Sequence, residues 1–145
     1  MFRGANKLTL DAKGRMVMPT RYRDRLQEIC GGKLVITVDK DQCLMIYPVP
    51  RWEEIERQLM ALPSLNAQAR RLQRLMVGHA TDLELDAHGR LLLPQKLREF
   101  AMLTRDAILI GQGERFELWD EARWDALAHE DNATDLHAEL ENLAL

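Results

Sequence analysis

No apolar run in this chain approaches the roughly 20 residues needed to cross a bilayer. Its opening, Met-Phe-Arg-Gly-Ala-Asn, has no apolar core of the kind an export signal carries, so a cytoplasmic location is expected. Cysteine is scarce. Cys30 and Cys43 have no Cys-x-x-Cys spacing and are read as free thiols of a reducing compartment, although spacing alone leaves a disulfide between them open. His79, His88, His129 and His137 show no His-x-x-x-His spacing, which removes the common zinc patterns. No glycine-rich loop opens a helix for phosphate, and no nucleophile elbow occurs. An enzyme is therefore not expected, nor is a cofactor, a metal, a small-molecule substrate or a membrane partner.

What the chain does contain is one stretch written twice. Residues 10–23 read Leu-Asp-Ala-Lys-Gly-Arg-Met-Val-Met-Pro-Thr-Arg-Tyr-Arg, and residues 85–98 read Leu-Asp-Ala-His-Gly-Arg-Leu-Leu-Leu-Pro-Gln-Lys-Leu-Arg. Both keep Leu-Asp-Ala-x-Gly-Arg, three apolar residues, a proline and an arginine four residues later. The offset is constant at 75, from Asp11 to Asp86 and from Pro19 to Pro94. An internal duplication argues for two small lobes. Each repeat spans only about 45 residues, where a lone core is marginal, so the lobes should pack on each other and on further subunits.

Asp11 and Gly14, like Asp86 and Gly89, suit a tight turn in which the carboxylate bonds nearby backbone and glycine accepts positive φ. That turn role outweighs a pair of catalytic acids. The runs Met16-Val17-Met18 and Leu91-Leu92-Leu93 read as short buried strands. Pro19 and Pro94 suit the first position of a helix. A guanidinium on such a turn, Arg15, with Lys13 beside it and Arg3 and Lys7 upstream, fits phosphate contact and bidentate guanine reading. It fits equally a structural pair with Asp11, and the two roles can coexist. Arg21, Arg23 and Arg25 alternate around Tyr22 and cover either solvent or backbone phosphate.

The formal net charge of −3 hides a segregation. Residues 1–51 are net +5, residues 52–78 net +1, residues 79–119 net −2 and residues 120–145 net −7. A basic front with an acidic tail points to a polyanion partner and an interaction tail. It also predicts that Arg15 outranks Arg90 at phosphate, the more so because His88 replaces Lys13 in the second copy.

In order along the chain, Leu8 and Leu10 alternate in a strand over Lys7 to Asp11, and Tyr22, Leu26 and Ile29 mark a helix ended by Gly31-Gly32. Lys33–Asp39 and Cys43–Tyr47 read as strands joined by a turn, repeated at Ala107–Ile110 and Arg115–Trp119 around a turn at residues 111–114. Pro50-Arg51-Trp52 recurs as Ala122-Arg123-Trp124 at an offset of 72, which places a net three-residue deletion around the second helix and its loop. Between the lobes, Trp52, Ile55, Leu59 and Leu62, then Leu65, Ala69, Leu72 and Met76, predict a helical hairpin broken at Pro63-Ser64. Arg70, Arg71 and Arg74 form a solvated face of it, or alternatively a phosphate face. Trp124 and Leu127 extend a helix past the second lobe, and Leu136, Leu140 and Leu143 mark a short acidic, partly mobile helix.

The opening Met-Phe-Arg-Gly, the twin Asp-x-x-x-Arg motifs, Gly78-His79-Ala80 and Phe116-Glu117-Leu118-Trp119-Asp120 together resemble the MraZ family over residues 1 to about 128. That family comprises bacterial transcriptional regulators built from two tandem AbrB/SpoVT-like domains. The resemblance implies an α+β, β-rich fold of two pseudo-symmetric swapped-hairpin β-barrel lobes (a double-split barrel) joined by a helical hairpin. It implies a ring-like homo-oligomer on short G-rich direct repeats of double-stranded DNA, repressing its own operon and the division and cell-wall gene cluster in the nucleoid. The expected organisation is a first DNA-binding domain at 5–51, a helical linker at 52–78, a second domain at 79–123 and an acidic tail at 124–145. Expected DNA contacts are Arg3, Lys7, Lys13, Arg15 and Arg90, with Asp11, Gly14, Asp86 and Gly89 building the turns. The alternative is an antitoxin-like interaction protein whose acidic tail masks a basic partner.

Overall fold

A computed structural model describes residues 1–130 and 133–144, without the side chains of Glu130 and residues 133–135. The part of the acidic-tail expectation that rests on Glu130, Asp131 and Asp135 therefore lies outside what is described. Eight strands and six helices occur among the described residues: β1 (Phe2–Thr9), β2 (Arg15–Val17), α1 (Thr20–Cys30), β3 (Lys33–Val38), β4 (Leu44–Pro48), α2 (Val49–Met60), α3 (Ala67–Met76), β5 (Thr81–Glu84), β6 (Arg90–Leu92), α4 (Gln95–Phe100), β7 (Asp106–Gly113), β8 (Phe116–Asp120), α5 (Glu121–Glu130) and α6 (Ala133–Glu141). The fold is α+β.

Six strands form one antiparallel sheet in the order β1-β7-β8-β4-β3-β5, and β2 pairs with β6 in a separate two-stranded ribbon. The two repeats are thus interleaved. β1 of the first repeat lies on β7 of the second, and β5 of the second lies on β3 of the first. The two lobes that the sequence suggests exchange strands and share one core, in keeping with the marginal size of each repeat.

The strand order reads the same from both ends under exchange of repeats, and the registers locate a pseudo-twofold axis. At the sheet centre Met45 faces Glu117, its own counterpart at an offset of 72. In the ribbon Met16 faces Leu91, its own counterpart at an offset of 75. The axis passes through both pairs.

One face of the sheet and the inner face of the ribbon enclose the main core. Leu34, Ile36, Leu44, Ile46, Leu109, Phe116 and Leu118 from the sheet meet Met16 and Leu91 from the ribbon, Tyr22 and Leu26 from α1 and Leu97 from α4. Phe2 joins this core, its ring 4.4 Å from Phe116 and edge-on to Tyr22 at 5.8 Å. The opposite face of the sheet is covered by helices. Val35, Met45 and Tyr47 pack against Trp52 and Leu59 of α2, with Met76 and Val77 at the end of α3. Ile108 and Trp119 pack against Trp124 and Leu127 of α5. Trp52 and Leu59 of the hairpin stripe are therefore buried against the chain's own sheet, with Ile55 half-buried beside them.

Local chemistry explains the boundaries. Pro19 and Pro94 sit at the N-cap rather than inside the helix, with ψ near 140°, and their rings set the entry of α1 and α4. Gly31, at φ 62°, ends α1 by returning its N–H to Gln27 at 3.0 Å, with Gly32 reaching Leu26 at 3.2 Å. α4 stops after six residues, which accounts for part of the deletion read from the repeat offset. Of the expected α1 stripe, Tyr22 and Leu26 are buried but Ile29 faces out. On the hairpin Leu65 and Leu72 are also exposed, and Gln73 turns inward to bond the Leu59 carbonyl at 2.9 Å.

Candidate functional site

The two Asp-x-x-x-Arg turns are near-copies in space. Asp11 Oδ1 accepts the backbone N–H of Lys13 at 3.0 Å and of Arg15 at 2.8 Å, while its Oδ2 takes the Arg15 Nε–H at 2.6 Å. Asp86 Oδ1 accepts the N–H of His88 and of Arg90, both at 2.8 Å, and its Oδ2 takes the Arg90 Nε–H at 2.9 Å. Gly14 at φ 85° and Gly89 at φ 74° close the turns onto the carbonyls of Asp11 and Asp86, each at 3.0 Å. The backbone N–H of Arg15, followed by its side chain, lowers the Asp11 pKa. The same groups of Arg90, backbone first, hold Asp86 at about 2. Both carboxylates are thus kept ionised. Each spends itself on fixing one guanidinium, whose Nε is occupied and whose two terminal nitrogens are left forward.

β2 and β6 bring these arginines onto one surface. Arg15 lies opposite Leu92 and Val17 opposite Arg90. With Met16 and Leu91 buried beneath, strand alternation turns all four outward. Val17 is 46% exposed and Leu92 56% exposed, against the expectation that each three-residue apolar run is buried throughout. The reason is the ribbon's position as the outermost layer, which leaves it only one face to bury. Arg15 and Arg90 are diagonal neighbours, roughly 7–8 Å apart at the backbone. Lys13 and His88 stand exposed on the two turns at either end.

Two further arginines meet here, and they cross over. Arg23, on α1 of the first repeat, donates its Nε–H to the Met18 carbonyl at 2.7 Å and lies against Gly89 of the second turn. Arg98, on α4 of the second repeat, donates to the Leu93 carbonyl at 3.0 Å and lies against Gly14 of the first turn. The backbone crosses in the same sense: Met18 N–H bonds Gly89 O at 2.8 Å, and Leu93 N–H bonds Gly14 O at 3.1 Å. Sequence reasoning leaves Arg23 between solvent and backbone phosphate and gives Arg98 no role, although the arginine four residues after each proline is the available signal. The crossover also removes the summed-charge ground for ranking Arg15 above Arg90, while the difference between Lys13 and His88 stands. Charge summed along the sequence does not map onto one turn when each repeat's arginine sits at the other's.

Arg3 and Lys7 are not gathered into this surface. On β1 they alternate onto the sheet face that α5 covers, Lys7 beside Ile108 and paired with Glu121 at 3.3 Å. The Met-Phe-Arg-Gly opening works structurally: the Arg3 carbonyl accepts the Tyr22 hydroxyl at 2.6 Å, and Gly4 makes room for Arg21. Arg70, Arg71 and Arg74 of α3 are exposed on the helix side of the sheet, away from the ribbon.

The repeat has a counterpart among known proteins. The family described as "MraZ protein, putative antitoxin-like" matches twice, over residues 1–75 and 76–145. The chain belongs to the MraZ family. A relative from Thioalkalivibrio sulfidiphilus (strain HL-EbGR7), named Transcriptional regulator MraZ, is 55% identical over 150 residues and covers all of both chains. Relatives of the same name from Pseudomonas aeruginosa (strain LESB58) and Alkalilimnicola ehrlichii are 56% and 60% identical. The first match covers 92% of this chain and 89% of the relative, and the second 86% and 84%.

Among the described residues no group of three or more His, Cys, Asp or Glu side chains is placed to hold a metal, and no helix is long and apolar enough to cross a membrane. Cys30 and Cys43 are both free, and burial raises the thiol pKa of each, most at Cys43.

Proposed function

We propose that this chain is a DNA-binding transcriptional regulator, not an enzyme, and that it reads duplex DNA with the outer face of the β2–β6 ribbon. The observation that carries this is the pairing of Arg15 and Arg90 on one exposed surface, each aimed by its own aspartate. A two-stranded ribbon fits the major groove, and a guanidinium presented by its terminal nitrogens matches the O6 and N7 of guanine. Val17 and Leu92, exposed between them, suit thymine methyl groups. Lys13 adds a phosphate contact at the rim, whereas Arg3 and Lys7, across the sheet, serve no contact in the same groove. The regulator names of relatives at 55% identity and above support the reading.

The finer form of the proposal is a cytoplasmic, nucleoid-associated repressor of its own operon and of the division and cell-wall cluster, binding short direct repeats as a ring-like oligomer. The outer edges of β1 and β5, the terminal strands of the sheet, support assembly. A ring would set several ribbons along one duplex and gain avidity for repeated sites. The test is footprinting on DNA upstream of the protein's own gene, followed by binding curves for Arg15→Ala, Arg90→Ala and Arg15→Lys at two salt concentrations. Each alanine variant should lose about 1–3 kcal/mol per site on the operator, the two equally. Arg15→Lys should keep non-specific binding and lose operator preference. Operator binding untouched by both alanine variants would end the ribbon reading.

A second reading rests on α6, an acidic helix whose Leu136 and Leu140 are exposed, with Leu143 exposed just beyond its end. In it the tail masks a basic protein, and a stoichiometric basic partner co-eluting from the native host would support it.

A further inference from the structure

We propose that Arg23 and Arg98 form two phosphate-binding positions that each act at the opposite repeat's turn, Arg23 beside Arg90 and Arg98 beside Arg15. The inference rests on the DNA reading above and deepens it.

Each guanidinium is held from two sides. Its Nε–H is committed to a carbonyl five residues earlier in its own repeat, Met18 for Arg23 and Leu93 for Arg98. Its flat body lies against the opposite turn's glycine, so closely that a Cβ on Gly14 or Gly89 would overlap it. The Nε–H and the plane being fixed, both terminal nitrogens of each are left without a protein partner among the described residues. Neither arginine makes an ion pair there. A half-buried, oriented and unneutralised guanidinium at the edge of a cationic ribbon is the arrangement that binds a phosphodiester oxygen pair well, since little of its side-chain freedom remains to be lost. A purely structural arginine in this position would be expected to close its charge on a carboxylate. Asp11 and Asp86, the carboxylates of the turns these arginines lie against, are both occupied by Arg15 and Arg90.

The placement also gives the single glycine of each turn a second reason to be glycine. Positive φ is one requirement, and room for the other repeat's guanidinium is the second. Base-reading side chains at the centre of the ribbon and fixed phosphate clamps at its two ends would register the ribbon on the duplex from both strands.

The test is a set of double-mutant cycles on the full chain, with duplex from upstream of its own gene and random duplex as probes. Arg23→Ala and Arg98→Ala should each weaken binding to both duplexes about tenfold per site. Each should also flatten the dependence of log affinity on log salt by about 1. Arg23→Ala should couple to Arg90→Ala and be additive with Arg15→Ala, and Arg98→Ala should show the reverse pattern. Arg23→Lys should recover most of the salt slope but not all of the affinity. Because loss of packing against the turn could weaken binding without any phosphate contact, Arg23→Met keeps the aliphatic stem. If Arg23→Met binds DNA with wild-type salt slope, the inference fails. It also fails if the coupling runs within a repeat instead of across. If Arg15→Ala and Arg90→Ala leave binding intact as well, the DNA reading itself has failed, and that result is distinct from a failure confined to Arg23 and Arg98.

Discussion

Asp86 shows how much one side chain in this chain is asked to do. It accepts two backbone N–H groups and the Nε–H of Arg90, and its pKa sits at about 2 against an ordinary 3.8. The folded value is the depressed one. The carboxylate therefore stabilises the fold fully above pH 4, and that contribution disappears as pH falls through 2. Asp11 shifts in the same direction. Melting temperature should drop between pH 4 and pH 2. Asp86→Asn, which keeps an oxygen for the backbone donors but cannot titrate, should flatten that part of the curve. An unchanged acid limb in Asp86→Asn would mean that the turn does not depend on the charge. The glycines make a steric counterpart. Gly14→Val places a β-branched residue at φ 85° and drives its Cβ into Arg98, so a loss on the order of 1–3 kcal/mol is expected in denaturant titration. A loss below 0.5 kcal/mol, the range of ordinary surface changes, would show that the turn relaxes freely.

At the scale of elements, the ribbon is the thinnest piece of the structure and depends on what lies under it. β2 and β6 offer three residues each, and only Met16 and Leu91 face the core, both fully buried. Full burial of such a side chain contributes about 1.5–3 kcal/mol. Truncation also leaves a cavity where sheet, ribbon and helices converge. Leu91→Ala should cost about 2–5 kcal/mol and lower DNA affinity by loosening the Arg15 and Arg90 spacing. Leu92→Ala, on the wet face, should leave stability within about 0.5 kcal/mol. Equal destabilisation by both would contradict the assigned faces. This alternation marks where sequence stopped being informative. The turns were legible because their contacts run from i to i+2, i+3 and i+4, and so appear as spacing. The wetness of Val17 and Leu92 was not, because a run of three apolar residues does not state whether it has one dry face or two. For the same reason the stripe at Trp52, Ile55 and Leu59 announces an apolar helix face but not that the chain's own sheet packs against it.

For the whole molecule, the decisive fact is long-range pairing, and no local pattern encodes it. β1 reads as a strand from its own residues, but its partner β7 begins at residue 106. The duplication was visible, whereas the exchange between duplicates follows only from the registers. That exchange carries a consequence for the halves. In residues 1–76 alone, β1 loses β7, β2 loses β6, β3 loses β5 and β4 loses β8. Of the strand pairs only β3–β4 survives, with half of the main core. As a monomer this half should not fold. Because β5 is the repeat counterpart of β1 and β6 of β2, a second copy of the same half supplies every missing neighbour. Two copies rebuild a six-stranded sheet and a ribbon in which Met16 faces its own equivalent and Arg15 faces Val17 of the other copy. The expected behaviour of residues 1–76 is therefore a dimer by sedimentation, with a melting temperature that rises with protein concentration. A folded, concentration-independent monomer would show instead that one repeat closes a core by itself, and the interleaved sheet would then be a convenience of the tandem chain rather than its requirement.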